Sequence, residues 1–320
     1  MALRTDRIIP LVQLLIPFAA PLSEAGRQAA LSLQLPHLRA LMALADVQLS
    51  PPGSELSLSP PHERLLAQAL GWQGDDGCLP WAARQARADG IPSDAGAWGL
   101  LTPSHWHLGT DQVSLGYPQQ LDLDAAGSQE LLAAVQDLFT SEGMAVCWGA
   151  PLRWYLQHPS LDGLACASLD RVVGRNIDAW LTTAPAMRRM RRLQNEVQML
   201  LYTHPANARR EARGLLPVNS FWLSGCGPAQ PDGATPPQVD ERLRVPALAE
   251  DWAAWVKAWD SLDAGPLAQA LKAVQGGGRL QLMLCGERQA VTLSVARRGL
   301  GWRLRSVFSR PQPGELWETL

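Results

Sequence analysis

The sequence predicts an α/β protein, in which strands and helices alternate along the chain. Residues 11–16 are a short apolar run typical of a buried strand, and helices are predicted directly after it, at 23–33 and 36–44. The C-terminal part predicts three strands joined by short turns, at 279–285, 289–296 and 302–308. Because turns this short favour antiparallel pairing, strand–helix units are expected to give way to antiparallel strands near the C-terminus.

Capping and turn residues predict where the next elements begin and end. A turn-rich stretch is predicted at 48–59. Ser59 and Pro60 are predicted to start a helix that ends near Gly71, because serine caps a helix and proline fits its first turn. Ser128 is predicted to cap a second helix, which ends before Gly143. Further strands are predicted at 98–102 and 144–148, and further helices at 186–203, 248–259 and 267–274.

Composition narrows the classes of function. The chain has 320 residues, is 47% hydrophobic and 18% charged, and carries a net charge of −2, which indicates a globular protein without strong attraction to nucleic acid or membranes. The five cysteines show no C-x-x-C spacing, which favours a reducing cytoplasm over a disulfide framework. The apolar stretch at 8–22 is too short, and too rich in proline, to span a membrane.

One motif has fixed spacing over 24 residues. It comprises His204-Pro205-x-Asn207, then Arg210, Gly214, Pro217-x-Asn219 and Gly227. This run resembles a segment of the archaeal-type cofactor-independent phosphoglycerate mutases, which belong to the alkaline phosphatase superfamily. The mutases have an arginine near the final glycines, where this chain has Ser224.

A second segment widens the resemblance. Glu130 and the apolar residues after it, followed by Trp148-Gly-Ala-Pro-Leu-Arg153, are similar to a helix and strand of the same mutases, with Arg153 on the family's arginine. The resemblance implies an alkaline-phosphatase-like, mostly parallel sheet with an inserted α/β lobe at 125–227. The core would comprise 1–124 and 228–320, with a shortened C-terminal part that ends in antiparallel strands.

The whole chain also resembles a bacterial family described as RpfE-type regulatory proteins. The similar phrases are Leu58-Ser-Pro-Pro-His62-Glu63-Arg64, His105-Trp106-His107-x-Gly109-Thr110-Asp111-Gln112-Val113 and Pro217-Val-Asn-Ser-Phe-Trp222. This resemblance implies a role in regulation and supplies little chemistry.

The mutase resemblance implies a catalytic apparatus that this sequence departs from. Mutase chemistry uses two divalent metals, held by aspartates and histidines, to lower the pKa of a nucleophilic serine. In the family the first strand ends in Asp-Gly, whereas here Pro17-Phe18 follows it, and no histidine occurs from 228 to 320. Gly53-Ser54-Glu55 is either an echo of the nucleophile turn or an ordinary polar turn. We therefore expect a degenerate site without cofactor or metal, or a divalent metal if the protein is an enzyme.

His105, His107 and Asp111 are the best metal-like group in the sequence. Alternate residues of a strand point the same way, so both imidazoles could face one ion. The alternatives are a loop with hydrogen-bonded histidines, or a polar pocket shared with His62 and Glu63.

Three functions remain open from the sequence. The first is a non-catalytic, mutase-like regulatory protein that binds a small phosphorylated or anionic ligand in a cleft between the lobes. Arg153, Asn207, Arg210 and Asn219 would line that cleft. The second is an active phosphomutase or phosphohydrolase that uses His105, His107 and Asp111. The third is a protein-interaction module with exposed tryptophans near Trp252 and Trp259.

Overall fold

A computed structural model describes residues 11–109, 112–181, 185–296, 317 and 320. Its described residues form eleven strands and eleven α-helices. The strands are β1 Leu11–Ile16, β2 Asp46–Leu49, β3 Ala97–Ser104, β4 Trp106–Leu108, β5 Val113–Leu115, β6 Ala145–Ala150, β7 Arg153–Gln157, β8 Ser220–Pro228, β9 Gln238–Val239, β10 Arg279–Cys285 and β11 Ala290–Val295. The helices are α1 Glu24–Leu31, α2 Pro36–Leu44, α3 Pro61–Leu70, α4 Trp81–Ala88, α5 Ala125–Thr140, α6 Leu169–Val172, α7 Arg188–Tyr202, α8 Pro205–Ala212, α9 Arg244–Leu248, α10 Trp252–Leu262 and α11 Ala268–Gln275.

The chain divides into two compact units. Unit 1 comprises Met1–Glu55, Pro61–Ala69 and Thr235–Leu320, and unit 2 comprises Leu56–Pro60 and Leu70–Ala234. Both segments of unit 2 lie between segments of unit 1 in the sequence, and Pro61–Ala69 of unit 1 separates them. The lobe boundary predicted at residue 125 falls within unit 2, and the boundary at 227 falls near its end.

Unit 1 is built on a five-stranded sheet with the order β2-β11-β10-β1-β9. β1 pairs parallel with β10 and β9, whereas β11 pairs antiparallel with β10 and β2. Leu14, Ile16 and Leu282 on one sheet face pack with apolar residues of α1, α2, α10 and α11. Leu15 and Met283, on the opposite face, pack against α3. The predicted α/β class, with parallel and antiparallel strands, is confirmed.

Unit 2 contains a four-stranded antiparallel sheet with the order β6-β7-β3-β8. The main core of the unit joins this sheet to α5 and α7, through residues such as Leu131, Val197 and Phe221. A smaller core packs Ala82 and Ala86 of α4 against Trp98 and Tyr155. A short hairpin of β4 and β5 lies beside these layers.

Several predicted elements have different boundaries in the structure, and some were missed. β1 and α2 match their predicted ranges, and β10 and β11 lie where strands were predicted. The sequence prediction missed α4, β7 and β2, and the last two residues of β2 fall in the stretch predicted as turns. Pro205 ends α7 at the expected point, but a new helix, α8, begins there. The strand predicted at 302–308 lies outside the described residues.

The predicted cap of α5 was wrong. Asp124 is the N-cap, and its carboxylate accepts a hydrogen bond from Gly127 N at 2.7 Å. Ser128 lies inside the helix, where its hydroxyl donates to Pro151 O at 2.8 Å and accepts from the indoles of Trp148 and Trp154. The sequence pattern misled because serine commonly caps helices, whereas this serine connects α5 to β6 and β7.

The exposed tryptophans predicted for an interaction surface are also corrected. Trp255 and Trp259 of α10 are 0% exposed, and Trp252 is half-buried. Neighbouring rings in this row of three contact each other edge to face, with centroids 6.1 Å apart. The indole of Trp255 donates to Phe18 O at 3.0 Å. Burial of this aromatic face therefore forms part of the core of unit 1.

Candidate functional site

The motif from His204 to Asn219 builds α8 and the loop that follows it. The ring of His204 caps the helix by accepting a hydrogen bond from Ala206 N at 3.3 Å, and Pro205 occupies the first turn. Gly214, just beyond the helix, has a φ of 72°, which glycine adopts without strain. The spacing of these residues therefore fits a helix that begins at Pro205 and ends before Gly214.

Asn207 holds three segments together from a buried position. It is 3% exposed. Its amide nitrogen donates to Leu201 O at 2.9 Å and to Val218 O at 2.8 Å, while its oxygen accepts from Val218 N at 2.9 Å. The side chain thereby ties the end of α7 and the start of α8 to the segment that enters β8, and these bonds use both amide hydrogens.

Arg210 and Asn219 are also bonded to the backbone of unit 2. The Arg210 side chain donates to Leu216 O at 3.0 Å and to Leu121 O, and burial lowers its pKa. Asn219 accepts from Trp106 N at 2.7 Å and donates to Trp106 O at 2.9 Å. The three motif residues predicted to bind a ligand thus share a local structural role in positioning loops around β3 and β8.

Arg153, the fourth residue predicted for the cleft, forms a bidentate ion pair. Its Nε and Nη2 donate to the two carboxylate oxygens of Asp89 at 2.7 and 2.8 Å. The hydroxyl of Tyr155 donates to the same carboxylate at 2.6 Å. The hydrogen bonds from Arg153 hold the pKa of Asp89 below its usual value. Arg153 therefore bonds a carboxylate, whereas Asn207, Arg210 and Asn219 bond the backbone. Asp89 balances the charge of Arg153.

The space next to the Asp89–Arg153 ion pair requires a glycine at position 149. A Cβ at Gly149 would lie 2.4 Å from Cε2 of Tyr155 and 2.7 Å from Oδ2 of Asp89. Only a residue without a side chain lets Tyr155 and Asp89 approach the β6–β7 turn this closely. Packing in unit 2 therefore accounts for both the glycine and the arginine of the Trp148–Arg153 segment.

The structure brings His105 and His107 together. Their ring centroids are 4.5 Å apart in an edge-to-face arrangement. Nδ1 of His105 lies 2.8 Å from Pro217 O, so this nitrogen carries the proton. Burial, and secondarily the nearby His105, lowers the pKa of His107. Asp111, the third predicted member of this group, lies outside the described residues.

His62 lies in unit 1, whereas His105 and His107 lie in unit 2. The ring of His62, in the first turn of α3, contacts the ring of Phe18 with centroids 5.3 Å apart. Phe18 has a φ of 56°, a left-handed conformation that is costly for a phenylalanine. This pair marks the point where β1 ends and the chain turns sharply.

The carboxyl ends of the three parallel strands meet at one edge of the unit 1 sheet. Open α/β sheets characteristically bind ligands at this edge. Pro17 and Phe18 follow β1, Gly286 follows β10, and Asp240 follows β9. The carboxylate of Asp240 accepts from Nε of Arg242 at 2.8 Å. The carboxylate nearest to the ends of these strands is therefore already paired with a cation.

Two arginines hold the loop that contains Ser54 at the β10 end of this edge. Arg288, in the turn after β10, donates from Nε and Nη2 to one oxygen of Glu55 at 3.0 and 2.6 Å. A Cβ at Gly53 would lie 2.8 Å from Nη2 of Arg64 and 2.7 Å from Arg288 O. The Gly53-Ser54-Glu55 loop therefore lies against both Arg64 and Arg288. We call these three loop residues and two arginines the arginine edge.

The arginine edge was missed in the sequence analysis, although Gly53-Ser54-Glu55 was considered as a nucleophile turn. Arg64 and Arg288 are separated by most of the chain, and only the pairing of β1 with β10 and the packing of α3 bring them to one loop. A usable signal was the position of Arg288, three residues after the end of a predicted strand.

Among the residues that the structure describes, no three or more His, Cys, Asp or Glu side chains are grouped so that they could hold a metal ion. Within the same residues, every helix is too short or too polar to cross a membrane.

Comparisons with known proteins give likeness at the level of structure alone. No family model matches the sequence, and no curated protein matches it. The cofactor-independent phosphoglycerate mutase from Thermoplasma acidophilum is 13% identical, with a TM-score of 0.38, and the match covers 93% of this chain and 95% of that one. The PH0037 protein from Pyrococcus horikoshii is 12% identical, with a TM-score of 0.40, and the match covers 90% of this chain and 88% of that one.

Proposed function

We propose that this chain is a non-catalytic, mutase-like regulatory protein that binds a small phosphorylated or anionic ligand at the arginine edge. The observation that carries the proposal is the position of Arg64 and Arg288 against one loop at the carboxyl end of β10. Guanidinium groups bind phosphate and carboxylate through two parallel hydrogen bonds, and this end of a parallel sheet is where α/β proteins place ligands.

Charge at the arginine edge favours an anion. The arginine edge holds two guanidinium groups and one carboxylate, so a net positive charge remains after Arg288, whose side chain is 55% exposed, pairs with Glu55. Burial raises the pKa of the Cys285 thiol, and the positive charge of Arg64 partly opposes this rise, so that charge lies near the end of β10.

The residues that follow β1 support a binding role over phosphoryl transfer. Mutase-type catalysis needs divalent ions to neutralise phosphate charge and to lower the pKa of a serine hydroxyl. Pro17 and Phe18 offer no side-chain ligand atom there, and Asp240 is paired with Arg242. A cationic side chain can hold a phosphate without activating it.

Calorimetry and thermal unfolding with 3-phosphoglycerate and with inorganic phosphate test the proposal. We expect the full chain to bind at least one of them and Arg64→Gln to weaken binding about tenfold or more, as for loss of a charge-assisted hydrogen bond. Arg39→Gln is the matched control, because Arg39 lies exposed on α2, which packs on the opposite sheet face from α3. Equal binding by the two variants would contradict the assignment of the arginine edge.

The alternative, an active phosphomutase or phosphohydrolase, is favoured by one observation, the 4.5 Å separation of the His105 and His107 rings. It predicts conversion of 3-phosphoglycerate to 2-phosphoglycerate, or release of phosphate, in the presence of Mn²⁺. It also predicts loss of that activity in His107→Ala. Turnover with these properties would replace the binding proposal, whereas binding at the arginine edge without turnover would support it.

A further inference from the structure

Two cysteines that are far apart in sequence lie in contact inside unit 2. Sγ of Cys166 is 3.6 Å from Sγ of Cys226, and 60 residues separate them. Cys226 is part of β8 and is 0% exposed, while Cys166, which precedes α6, is 5% exposed. Both are free thiols. A disulfide has sulfurs about 2.0 Å apart, so bond formation requires them to approach by about 1.5 Å.

The packing around Cys226 fixes the direction of its thiol. Gly225 and Gly227 flank it with φ values of 64° and 143°. A Cβ at Gly99 would lie 3.2 Å from Sγ of Cys226 and 2.8 Å from Leu223. The neighbouring strand thus confines the sulfur on one side, and Cys166 lies on the other. The backbone of Cys166 is held in turn by its hydrogen bond to Gly77 O at 3.0 Å.

A cavity adjoins the pair through Cys166, and Trp180, Gln194 and Trp222 are among its other lining residues. Cys226 does not line this cavity. The hydrogen bond with Cys166, in which Cys226 keeps its proton, and burial together raise the pKa of Cys226 well above its usual value, so Cys226 remains a thiol at neutral pH. A small oxidant that enters this cavity therefore meets Cys166 first.

We propose that Cys166 and Cys226 are a reversible oxidation site, which hydrogen peroxide converts into a disulfide within unit 2. The Cys166 thiolate attacks one peroxide oxygen, the O–O bond breaks, and hydroxide leaves with an S–O bond formed. The sulfur of Cys226 then displaces the hydroxyl from Cys166 and forms the S–S bond. Both thiols are oxidised, the peroxide is reduced, and the two thiol protons end in two water molecules.

Formation of the disulfide would alter a hydrogen bond next to the two cysteines. The indole of Trp222, in β8, donates to Ala167 O at 2.9 Å, and Trp222 lines the same cavity as Cys166. Drawing Cys166 toward β8 shifts the segment that carries this carbonyl. The disulfide therefore changes the packing between β8 and the start of α6. This inference is independent of the ligand proposed above.

Peptide mapping of the folded full chain tests the site. The reduced protein is treated with hydrogen peroxide, remaining thiols are alkylated, and the digest is analysed by mass spectrometry without reduction. We expect one linked species that joins the Cys166 and Cys226 peptides and disappears after treatment with dithiothreitol. Urea-unfolded protein treated in the same way should give no preference for this pair, because its five cysteines are then all accessible.

Single substitutions separate this pair from the neighbouring thiols. Cys226→Ser should abolish the linked species, whereas Cys78→Ser and Cys147→Ser should retain it. Cys78 is the more stringent control, because it is partly exposed and close enough to Cys166 for that thiol to contribute to its raised pKa. A bond from Cys78 to Cys166 or to Cys226, or oxidation to sulfinic acid alone, would overturn the assignment.

Discussion

At the scale of single residues, the polar side chains of the 204–219 motif are connectors within unit 2. Asn207 makes three hydrogen bonds from a position that is 3% exposed. The fixed spacing of these residues indicated that they have a specific role, and they were predicted to bind a ligand. Spacing alone does not distinguish a side chain that bonds the backbone from one that faces a cleft, because both require a polar group at a fixed place.

Asn207→Ala should destabilise the protein by about 3 kcal/mol, because it removes three buried hydrogen bonds and leaves the backbone N–H and C=O of Val218 without the partners that Asn207 supplies. The free energy of unfolding, measured by urea denaturation, checks this. Asn195→Ala is the control, since Asn195 is exposed on α7, and it should change stability by less than about 0.5 kcal/mol. Equal effects of the two substitutions would show that the Asn207 bonds contribute nothing.

The ion pair between Asp89 and Arg153 predicts a pH dependence of stability. Because the folded-state pKa of Asp89 is lowered, its contribution is complete above the unfolded-state pKa and is lost as the pH falls through the folded-state value. Asp89→Asn should therefore cost about 2 kcal/mol at neutral pH. The difference from the original chain should shrink as the pH falls below about 4. Urea denaturation of both proteins across this range gives the comparison, and a constant difference would contradict it.

At the scale of elements, α5 shows what helix patterns predict and what they miss. Its inward residues Leu131, Val135 and Phe139 are buried, as their spacing indicates. Its cap was misassigned, because Asp124 and Ser128 are both good capping residues and only tertiary contacts decide between them. The tryptophans whose indoles donate to the Ser128 hydroxyl belong to β6 and β7, and β7 was not predicted from the sequence.

Because Asp124 is the cap of α5 and Ser128 lies inside the helix, we predict which of two substitutions destabilises the protein more. Ser128→Ala should destabilise the protein by about 2 kcal/mol or more, because it leaves two indole donors and a carbonyl without their partner. Asp124→Ala should cost about 1 kcal/mol, as for loss of an N-cap. Thermal or urea unfolding of both variants checks the order. Ser141→Ala, at the exposed end of the same helix, serves as the control and should be nearly neutral.

At the scale of the whole molecule, the sequence predicted the α/β class, which the structure confirms, and an inserted lobe at 125–227, which stays a prediction. The compact unit 2 of the structure extends beyond that range, to 56–60 and 70–234. The start of the predicted lobe followed the mutase resemblance, which begins at about 129. Residues 97–104, which form β3, were therefore assigned to the phosphatase-like core. In the structure β3 is a central strand of the unit 2 sheet, between β7 and β8. The arginine edge depends on contacts between residues more than 200 positions apart, which no local pattern shows.

The division into units predicts that a fragment spanning 56–234 folds by itself. It contains both segments of unit 2, together with residues 61–69 of unit 1, and the sheet and cores of unit 2 lie within that range. We expect cooperative urea unfolding of the fragment and protection of the β3, β7 and β8 amides from hydrogen exchange. A fragment without cooperative unfolding would show that unit 2 depends on the rest of the chain.

The pairing of β1 with β10 has a consequence for biosynthesis. The side chains of Gln13 and Gln281 bond across this pair, although 268 positions separate them. At about 5–20 residues per second, a ribosome needs on the order of tens of seconds to make the second strand after the first. The apolar β1 segment must therefore wait without its neighbour while the insertion is synthesised and can already fold. Chaperone binding during translation should accordingly centre on the β1 segment.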